Sequence, residues 1–238
     1  MRIDIDRINP AFKELIKHHD QVIFLDANIF IPPDRSNFQK HIAAFRFEDY
    51  RTVFLDPLLL EFPKLSVHET VYDEMVVSSV KAYVDEHIGN ESSGLEVHYD
   101  RNLSEEENAL LNLYLQKLSV HSGYDPAADN SKDRGEIRSL SYMAVKRYLY
   151  FTANDALPIR LIKNAKELET DLDDMGIIQP YELIFYLYES KKYDGKGLRI
   201  LYKYLYYLTA RDKIENPEWG KFVEAMEAIY EDLFDESR

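Results

Sequence analysis

Four acidic residues stand where an α/β fold would bring them together: Asp26, Glu74, Glu136 and Asp155. Asp26 and Asp155 end apolar runs that suit buried strands, and Glu74 and Glu136 fall in the early turns of expected helices. In an open parallel sheet these places meet at one edge, where ligands bind. Four clustered carboxylates would repel one another unless protons or a cation compensate them. The pattern therefore predicts an Mg²⁺ or Mn²⁺ site with positions left for water and phosphate.

Each of the four acids could also have a purely structural role. Asp26 could be a turn residue, and Asp155 could cap the helix that follows it. Glu136 could complete a capping box with Asp133, and Glu74 could lie on a solvated helix face. The prediction therefore depends on the four residues in combination.

The composition restricts what could hold a metal and where the protein could act. The 238-residue chain has no cysteine, and its seven histidines form no closely spaced pair of the kind that binds zinc. Carboxylates must then be the main ligands. A net charge of −14 disfavours a general polyanion-binding surface, although acids in a metal pocket would account for part of it. Without a long apolar run or a signal peptide, we expect a soluble, cytoplasmic protein with no membrane association.

Strand and helix signals alternate along the chain, which predicts an α/β three-layer sandwich with a central parallel sheet. Asn9 should cap a helix that starts at Pro10, and capping boxes are expected at Ser66 with Glu69 and at Ser104 with Glu107. Because the box explains Glu69, that acid is left out of the site. The expected strands are 21–26, 64–67, 148–155 and 176–180, and the expected helices are 36–45, 69–80, 109–120, 133–147, 156–164, 181–190, 198–211 and 217–234. Segments 89–100 and 121–132 suit loops, and 48–62 has no clear pattern.

Four short motifs in this order resemble the PIN domain. They are LDANIF from Leu25, LSVHETVYDEM from Leu65, DRGE from Asp133 and FTAND from Phe151. PIN domains are metal-dependent ribonucleases, including toxins of toxin-antitoxin modules and nucleases of RNA processing and decay. The resemblance spans roughly residues 20 to 190. It implies a PIN-like nuclease domain over 1–190 and a helical appendage over 191–238.

The resemblance also implies a mechanism and roles for residues. A phosphodiester in RNA would be hydrolysed by metal-activated water on one or two Mg²⁺ or Mn²⁺ ions, leaving a 5′-phosphate and a 3′-hydroxyl. Asp26 and Asp155 would be direct ligands, and Glu74 and Glu136 would bind directly or through water. Polar side chains expected to support the site or contact substrate are Asn28, Thr152 and Asn154, and the candidate phosphate contacts are Arg134, Arg138, Arg160 and Lys163. Each basic residue could equally be a helix-surface solubiliser.

Other functions stay open at this point. A PIN-like scaffold could bind RNA or a protein partner without cutting, and Tyr202, Tyr204, Tyr206 and Tyr207 could form its interface or pack in a core. A phosphohydrolase that forms an aspartyl phosphate is disfavoured, because Asn28 and not an acid stands two residues after Asp26. A partner such as an antitoxin and a homodimer both remain compatible with the sequence.

Overall fold

The computed structural model describes residues 2–36, 45–90 and 94–234. The chain divides into two compact units that are interleaved in sequence. The first, here called the sheet unit, comprises 20–31 and 62–178, and the second, called the helical unit, comprises 1–19, 32–61 and 179–238. The predicted boundary between 1–190 and 191–238 stays a prediction.

The sheet unit is built on five parallel strands in the order β3-β2-β1-β4-β5. They are β1 Ile23–Leu25, β2 Leu65–His68, β3 Glu96–His98, β4 Tyr150–Thr152 and β5 Gly176–Ile178. Because β1 is central and parallel to both β2 and β4, the carboxyl ends of these three strands lie side by side. This is the edge at which the sequence predicts the acids to meet.

The helices supply the remaining structure. In chain order they are α1 Pro10–Lys17, α2 Ala27–Phe30, α3 Phe47–Tyr50, α4 Asp56–Glu61, α5 Glu69–Glu74, α6 Ser78–His87, α7 Glu105–Ser119, α8 Arg134–Lys146, α9 Ala156–Lys163, α10 Ala165–Leu168, α11 Pro180–Glu189, α12 Gly195–Tyr206, α13 Ala210–Glu215 and α14 Trp219–Phe234. A π-helical turn, Arg51–Leu55, joins α3 to α4. Among the described residues, no helix is long and apolar enough to cross a membrane.

The core of the sheet unit explains the strand signals. Phe24 and Phe151 are paired across β1 and β4, and they are fully buried in one cluster with Ile137 and Leu140 of α8. Neighbouring positions that face the other way, such as Ile23, are also buried. Strands buried on both faces are what a sheet between two helical layers requires. The predicted α/β three-layer class is therefore confirmed.

The tyrosines near the C-terminus belong to the core of the helical unit. Tyr202 stacks on Phe222 with ring centroids 4.3 Å apart, and its hydroxyl donates a hydrogen bond to the Pro217 carbonyl at 2.8 Å. Tyr204 and Tyr206 are also buried. Of the two alternatives for this set, packing in a core is the one observed for these three residues.

Two expected helix starts are confirmed. The Asn9 side chain accepts a hydrogen bond from the Ala11 amide, with Pro10 in the first helical position. Ser104 and Glu107 form both bonds of a capping box. Satisfying the free amides of the first turn stabilises a helix locally, so these signals depend little on tertiary context.

Other expectations are wrong. Ser66 lies within β2 and does not cap a helix, and the expected helix 69–80 is two helices that break after Glu74. The expected loop 89–100 contains β3, the unassigned segment 48–62 is mostly helical, and residues 198–234 form three helices where two were expected. The expected helix 36–45 lies largely outside the described residues.

Candidate metal centre

Asp26 is placed by the end of β1. Its amide donates a hydrogen bond to the Thr152 carbonyl at 3.0 Å, which extends the pairing with β4 by one residue, and its carbonyl accepts from the Ile29 amide in the turn into α2. The residue is only 2% exposed. A carboxylate this deeply buried is unusual without a partner, so the turn explanation for Asp26 is insufficient.

Asp155 is placed by the end of β4, immediately before α9. Its side chain makes no hydrogen bond to the helix amides, so it does not act as a helix cap. Instead, the side-chain amide of Asn28 donates to Asp155 Oδ2 at 2.6 Å and to Asp26 Oδ2 at 3.1 Å. One exposed amide therefore joins the two carboxylates.

Glu136 is placed by the first turn of α8. The residue before that helix, Asp133, has a left-handed backbone (φ 56°) and makes no side-chain cap; its carboxylate accepts the Gly123 amide at 2.6 Å. The capping-box explanation for Glu136 is therefore wrong. One carboxylate oxygen from each of Asp26, Glu136 and Asp155 lies within 4.8 Å of the other two.

Glu74 lies beside this triad but is not one of the three residues that meet that distance. It ends α5, and its Oε1 accepts the Gly135 amide at 3.1 Å. A Cβ atom at position 135 would stand 2.7 Å from Glu74 Oε2. Gly135 therefore both holds Glu74 and leaves the space that its carboxylate occupies.

The electrostatics of Asp26, Glu136 and Asp155 are those of an uncompensated cluster, whereas the charge of Arg134 acts to lower the pKa of Glu74 and compensates it in part. Burial raises the pKa of Asp26 to about 7, with further contributions from the charges of Glu136 and Asp155. Burial, followed by the charge of Glu136, raises the pKa of Glu74 to about 7. Burial is also the main cause that raises the pKa of Glu136 and of Asp155. In the part of the chain that the structure describes, no lysine, arginine or histidine forms an ion pair with any of the four.

The donor set suits a hard divalent cation. Carboxylate oxygens are preferred by Mg²⁺ and Mn²⁺. Ligand atoms about 2.1 Å from one ion stand about 3.0 Å apart in neighbouring octahedral positions and about 4.2 Å apart in opposite ones. The oxygens of Asp26, Glu136 and Asp155, which lie within 4.8 Å of one another, would therefore draw closer together around an ion, and the positive charge would remove their mutual repulsion.

Of the three arginines predicted to contact phosphate, two form ion pairs with carboxylates in the described chain and the third does not. Arg134 makes two hydrogen bonds to Asp129, at 2.9 and 3.1 Å. Arg138 binds Asp100 at 2.7 Å and the Tyr124 hydroxyl at 3.0 Å. Arg160 is exposed, and within the described ranges it donates one hydrogen bond, to the backbone carbonyl of His121 at 2.5 Å. The first two guanidinium groups are therefore already neutralised within the protein.

The predicted polar supports also differ in position. Asn28 joins the acids, whereas Thr152 has 0% exposure and its hydroxyl has no hydrogen-bond partner among the described residues. Asn154 is partly buried between β4 and Asp155, and Lys163 is exposed at the end of α9. A fully buried hydroxyl offers no surface to a substrate, so Thr152 could support the site only from beneath.

A second group of possible ligands, His68, Glu69 and Asp100, also has atoms within 4.8 Å of one another. Its members are already engaged. His68 Nε2 lies 3.0 Å from Asp100 Oδ1, Asp100 Oδ2 binds Arg138, and the Glu69 carboxylate accepts the Asp100 amide at 2.8 Å. This group is a neutralised structural network, and it gives Glu69 a role other than the predicted capping box.

Comparison with known proteins gives no further information on the family or function of the chain. No family model, curated protein or solved structure matches the chain. The resemblance to the PIN domain therefore stays a prediction that rests on the four motifs.

Sequence reasoning missed two residues that shape the centre. The DRGE motif predicts no separate role for Gly135, although its amide and its missing side chain position Glu74. The sequence predicts Asp133 only as a possible cap, whereas its charge contributes to the raised pKa of Glu136 and Asp155. The available signal for Gly135 is a glycine within the predicted helix 133–147, because glycine is less favourable than alanine in a helix and indicates a packing reason.

Proposed function

We propose that this chain is an Mg²⁺- or Mn²⁺-dependent nuclease that hydrolyses phosphodiester bonds in RNA. The observation that supports this most is the meeting of Asp26, Glu136 and Asp155 within 4.8 Å, without a cation from the part of the chain that the structure describes. Acids with strongly perturbed pKa values are concentrated at functional sites. The choice of RNA, and any toxin-type or defence role with an antitoxin-like partner, rests on the resemblance to PIN domains.

The triad would hold the metal, with one oxygen from each of Asp26, Glu136 and Asp155. Asn28 would keep the two aspartates at a fixed separation, because its amide donates to both. When bound, the divalent ion supplies charge stabilisation to the phosphate and lowers the pKa of a coordinated water.

Glu74 is the residue best placed to take up a proton. Its Oε1 is occupied by the Gly135 amide, which leaves Oε2 to accept. In the metal-free chain, burial and the charge of Glu136 raise the pKa of Glu74 to about 7, which favours a group that takes up a proton. Glu74 would therefore accept a proton at Oε2 from the attacking water, while the triad carries the metal.

Cleavage of an end-labelled RNA oligonucleotide tests the proposal. We expect cleavage that requires Mn²⁺ or Mg²⁺ and is lost in Asp26→Asn and Asp155→Asn, with folding checked by circular dichroism. Asp129→Asn is the matched control, because Asp129 pairs with Arg134 and lies outside the triad. RNA binding that persists in the wild-type chain with no cleavage at any metal concentration would contradict the proposal and support a non-cutting scaffold.

Thermal stability tests the metal centre without measuring activity. An ion that binds only the folded state at a hundred times its Kd adds about 2.7 kcal/mol of stability. For a chain of this length that raises the Tm by roughly 5–10 °C. Asp155→Asn should lose most of this rise and Asp129→Asn should keep it. A wild-type Tm unchanged by millimolar Mn²⁺ would count against a metal centre.

A further inference from the structure

A cavity of about 490 Å³ within the sheet unit is lined partly by residues that neighbour the acids of the metal centre in the chain. Two of its lining residues adjoin the acids in the chain: Ala156 directly follows Asp155, and Asp133 directly precedes the helix that carries Glu136. The charge of Asp133 is also felt by both of those acids. Small-molecule sites in proteins have volumes of about 300–1,000 Å³, so this cavity is of suitable size for a ligand that reaches the metal centre.

Two basic residues that form no ion pair among the described residues line the cavity. Lys132 and Arg160 both line it, and neither forms an ion pair within the described ranges. Arg134 and Arg138, by contrast, are paired with carboxylates. Arg160 uses one N–H on a backbone carbonyl, and a guanidinium has five N–H donors, so it retains donors for a ligand.

The backbone around the cavity accommodates Lys132 closely. A Cβ atom at Gly123 would stand 2.4 Å from the Lys132 Cδ atom, so the lysine stem crosses directly over that glycine. The one acid in the lining, Asp133, accepts the Gly123 amide. The lining thus combines two cations with one acid, in a chain whose net charge is −14. An excess of positive charge confined to one cavity favours an anionic ligand there.

We infer that this cavity binds the nucleotide adjoining the scissile phosphodiester, with Arg160 and Lys132 contacting its phosphate. The inference rests on the proposed function. Leu157 and the His121 side of the cavity provide surface for the sugar and base. Arg160, one of the predicted phosphate contacts, lines the cavity together with Lys132. Lys163 does not line it and has no role in this subsite.

Binding of a fluorescent ten-nucleotide RNA, measured by anisotropy in EDTA on the full chain carrying Asp26→Asn, tests the subsite without cleavage. Arg160→Ala and Lys132→Ala should each weaken binding about fivefold or more, because each removes a charge-assisted contact. Each should also reduce the slope of log affinity against log salt by about 1. Lys166→Ala is the matched control: it removes the same charge from an exposed position outside the cavity, and we expect less than about a twofold change.

Competition identifies the occupant. Adenosine 5′-monophosphate should displace the RNA at lower concentration than inorganic phosphate or adenosine, and should lose this advantage in Arg160→Ala. Equal losses in Arg160→Ala and Lys166→Ala, or equal competition by phosphate and the nucleotide, would overturn the nucleotide subsite. If the Mn²⁺-dependent rise in Tm is present while these results fail, only the subsite is wrong; if that rise is itself absent, the metal centre fails.

Discussion

Replacing Asp26 by asparagine should stabilise the metal-free protein while abolishing its response to metal. Asp26 is 2% exposed, and burial together with Glu136 and Asp155 raises its pKa to about 7 from an ordinary value of 3.8. At neutral pH the charged form of Asp26 is therefore less favourable in the folded chain than in the unfolded chain. Asparagine has nearly the same shape and carries no charge, so the substitution removes the electrostatic cost and keeps the packing.

The size of the effect follows from the pKa difference. Each pKa unit corresponds to about 1.36 kcal/mol, so ionising Asp26 in the folded chain at pH 8 costs about 4 kcal/mol. Asparagine does not recover all of this, because the Asn28 and Ala27 amides both donate to Asp26 and the new NH₂ group must face one of them. A lost hydrogen bond of this kind costs about 1–3 kcal/mol. We therefore expect a net gain of about 2 kcal/mol, or a Tm about 4–8 °C higher.

The dependence on pH makes the prediction specific. Between pH 4 and 7 the folded protein binds more protons at Asp26 than the unfolded chain does. The contribution of Asp26 to the free energy of unfolding therefore falls as pH rises through this range. The advantage of Asp26→Asn should accordingly be absent near pH 4, grow up to pH 7 and level off above it. Urea unfolding followed by circular dichroism in EDTA, at half-unit steps from pH 4 to 8.5, measures this curve.

The control has the opposite sign. Hydrogen bonds from Arg134 and Tyr124 lower the pKa of Asp129 to about 2, so its charge is stabilising over the whole of this pH range. Asp129→Asn should therefore be less stable than the wild type at pH 8. If Asp26→Asn is also destabilised at pH 8 in EDTA, or if its stability difference does not change between pH 4 and 7, then the buried acids are not an uncompensated cluster and the reasoning behind the metal centre is wrong.

Two further substitutions test the supports of the centre. Gly135→Ala should reduce RNA cleavage roughly tenfold to a hundredfold, because the added Cβ displaces Glu74. Gly220→Ala is the control and should leave cleavage unchanged, because its added Cβ meets no atom within 4 Å. Equal cleavage rates for both variants would contradict the role of Gly135. Asn28→Asp replaces the amide that joins two carboxylates by another acid, so its Tm in EDTA at pH 8 should fall and its rise on adding Mn²⁺ should be larger than in the wild type. Asn112→Asp, at an exposed position on α7, adds the same charge elsewhere and should change neither value; if Asn28→Asp behaves like it, Asn28 does not join the acids.

The parts of the fold that could be predicted are those decided by local chemistry. β1 is a short apolar run followed directly by Asp26, and β4 lies in an apolar and aromatic run that reaches Asp155 three residues after the strand ends; such runs are typical of strands buried on both faces. The capping box at Ser104 succeeded, but the same pattern at Ser66 failed. Ser66 lies between Leu65 and Val67, and pairing with its neighbours in the sheet outweighs its preference for a helix start.

The parts that could not be predicted depend on tertiary contacts. Strand β3 is only three residues long and lies in a polar segment, so nothing local distinguishes it until β2 provides a partner. The position of Glu74 depends on an amide 61 residues further along the chain. The proximity of Asp26 and Asp155, in contrast, can be predicted from one assumption, that the two strands before them are parallel neighbours. β1 and β4 are such neighbours.

The two groups of possible ligands in the sheet unit show why the acidic triad, and not acidity in general, supports a function. In one group, Asp100 lies beside His68 and Arg138, and burial does not prevent its pKa from being lowered. In the other, formed by Asp26, Glu136 and Asp155, the described chain supplies only the neutral amide of Asn28, which donates to the two aspartates. Neutralising one cluster shows that this fold can place an arginine beside partly buried acids. Leaving the other uncompensated costs stability that a single substitution would recover, and such a cost is expected where the missing charge has to arrive from outside the protein.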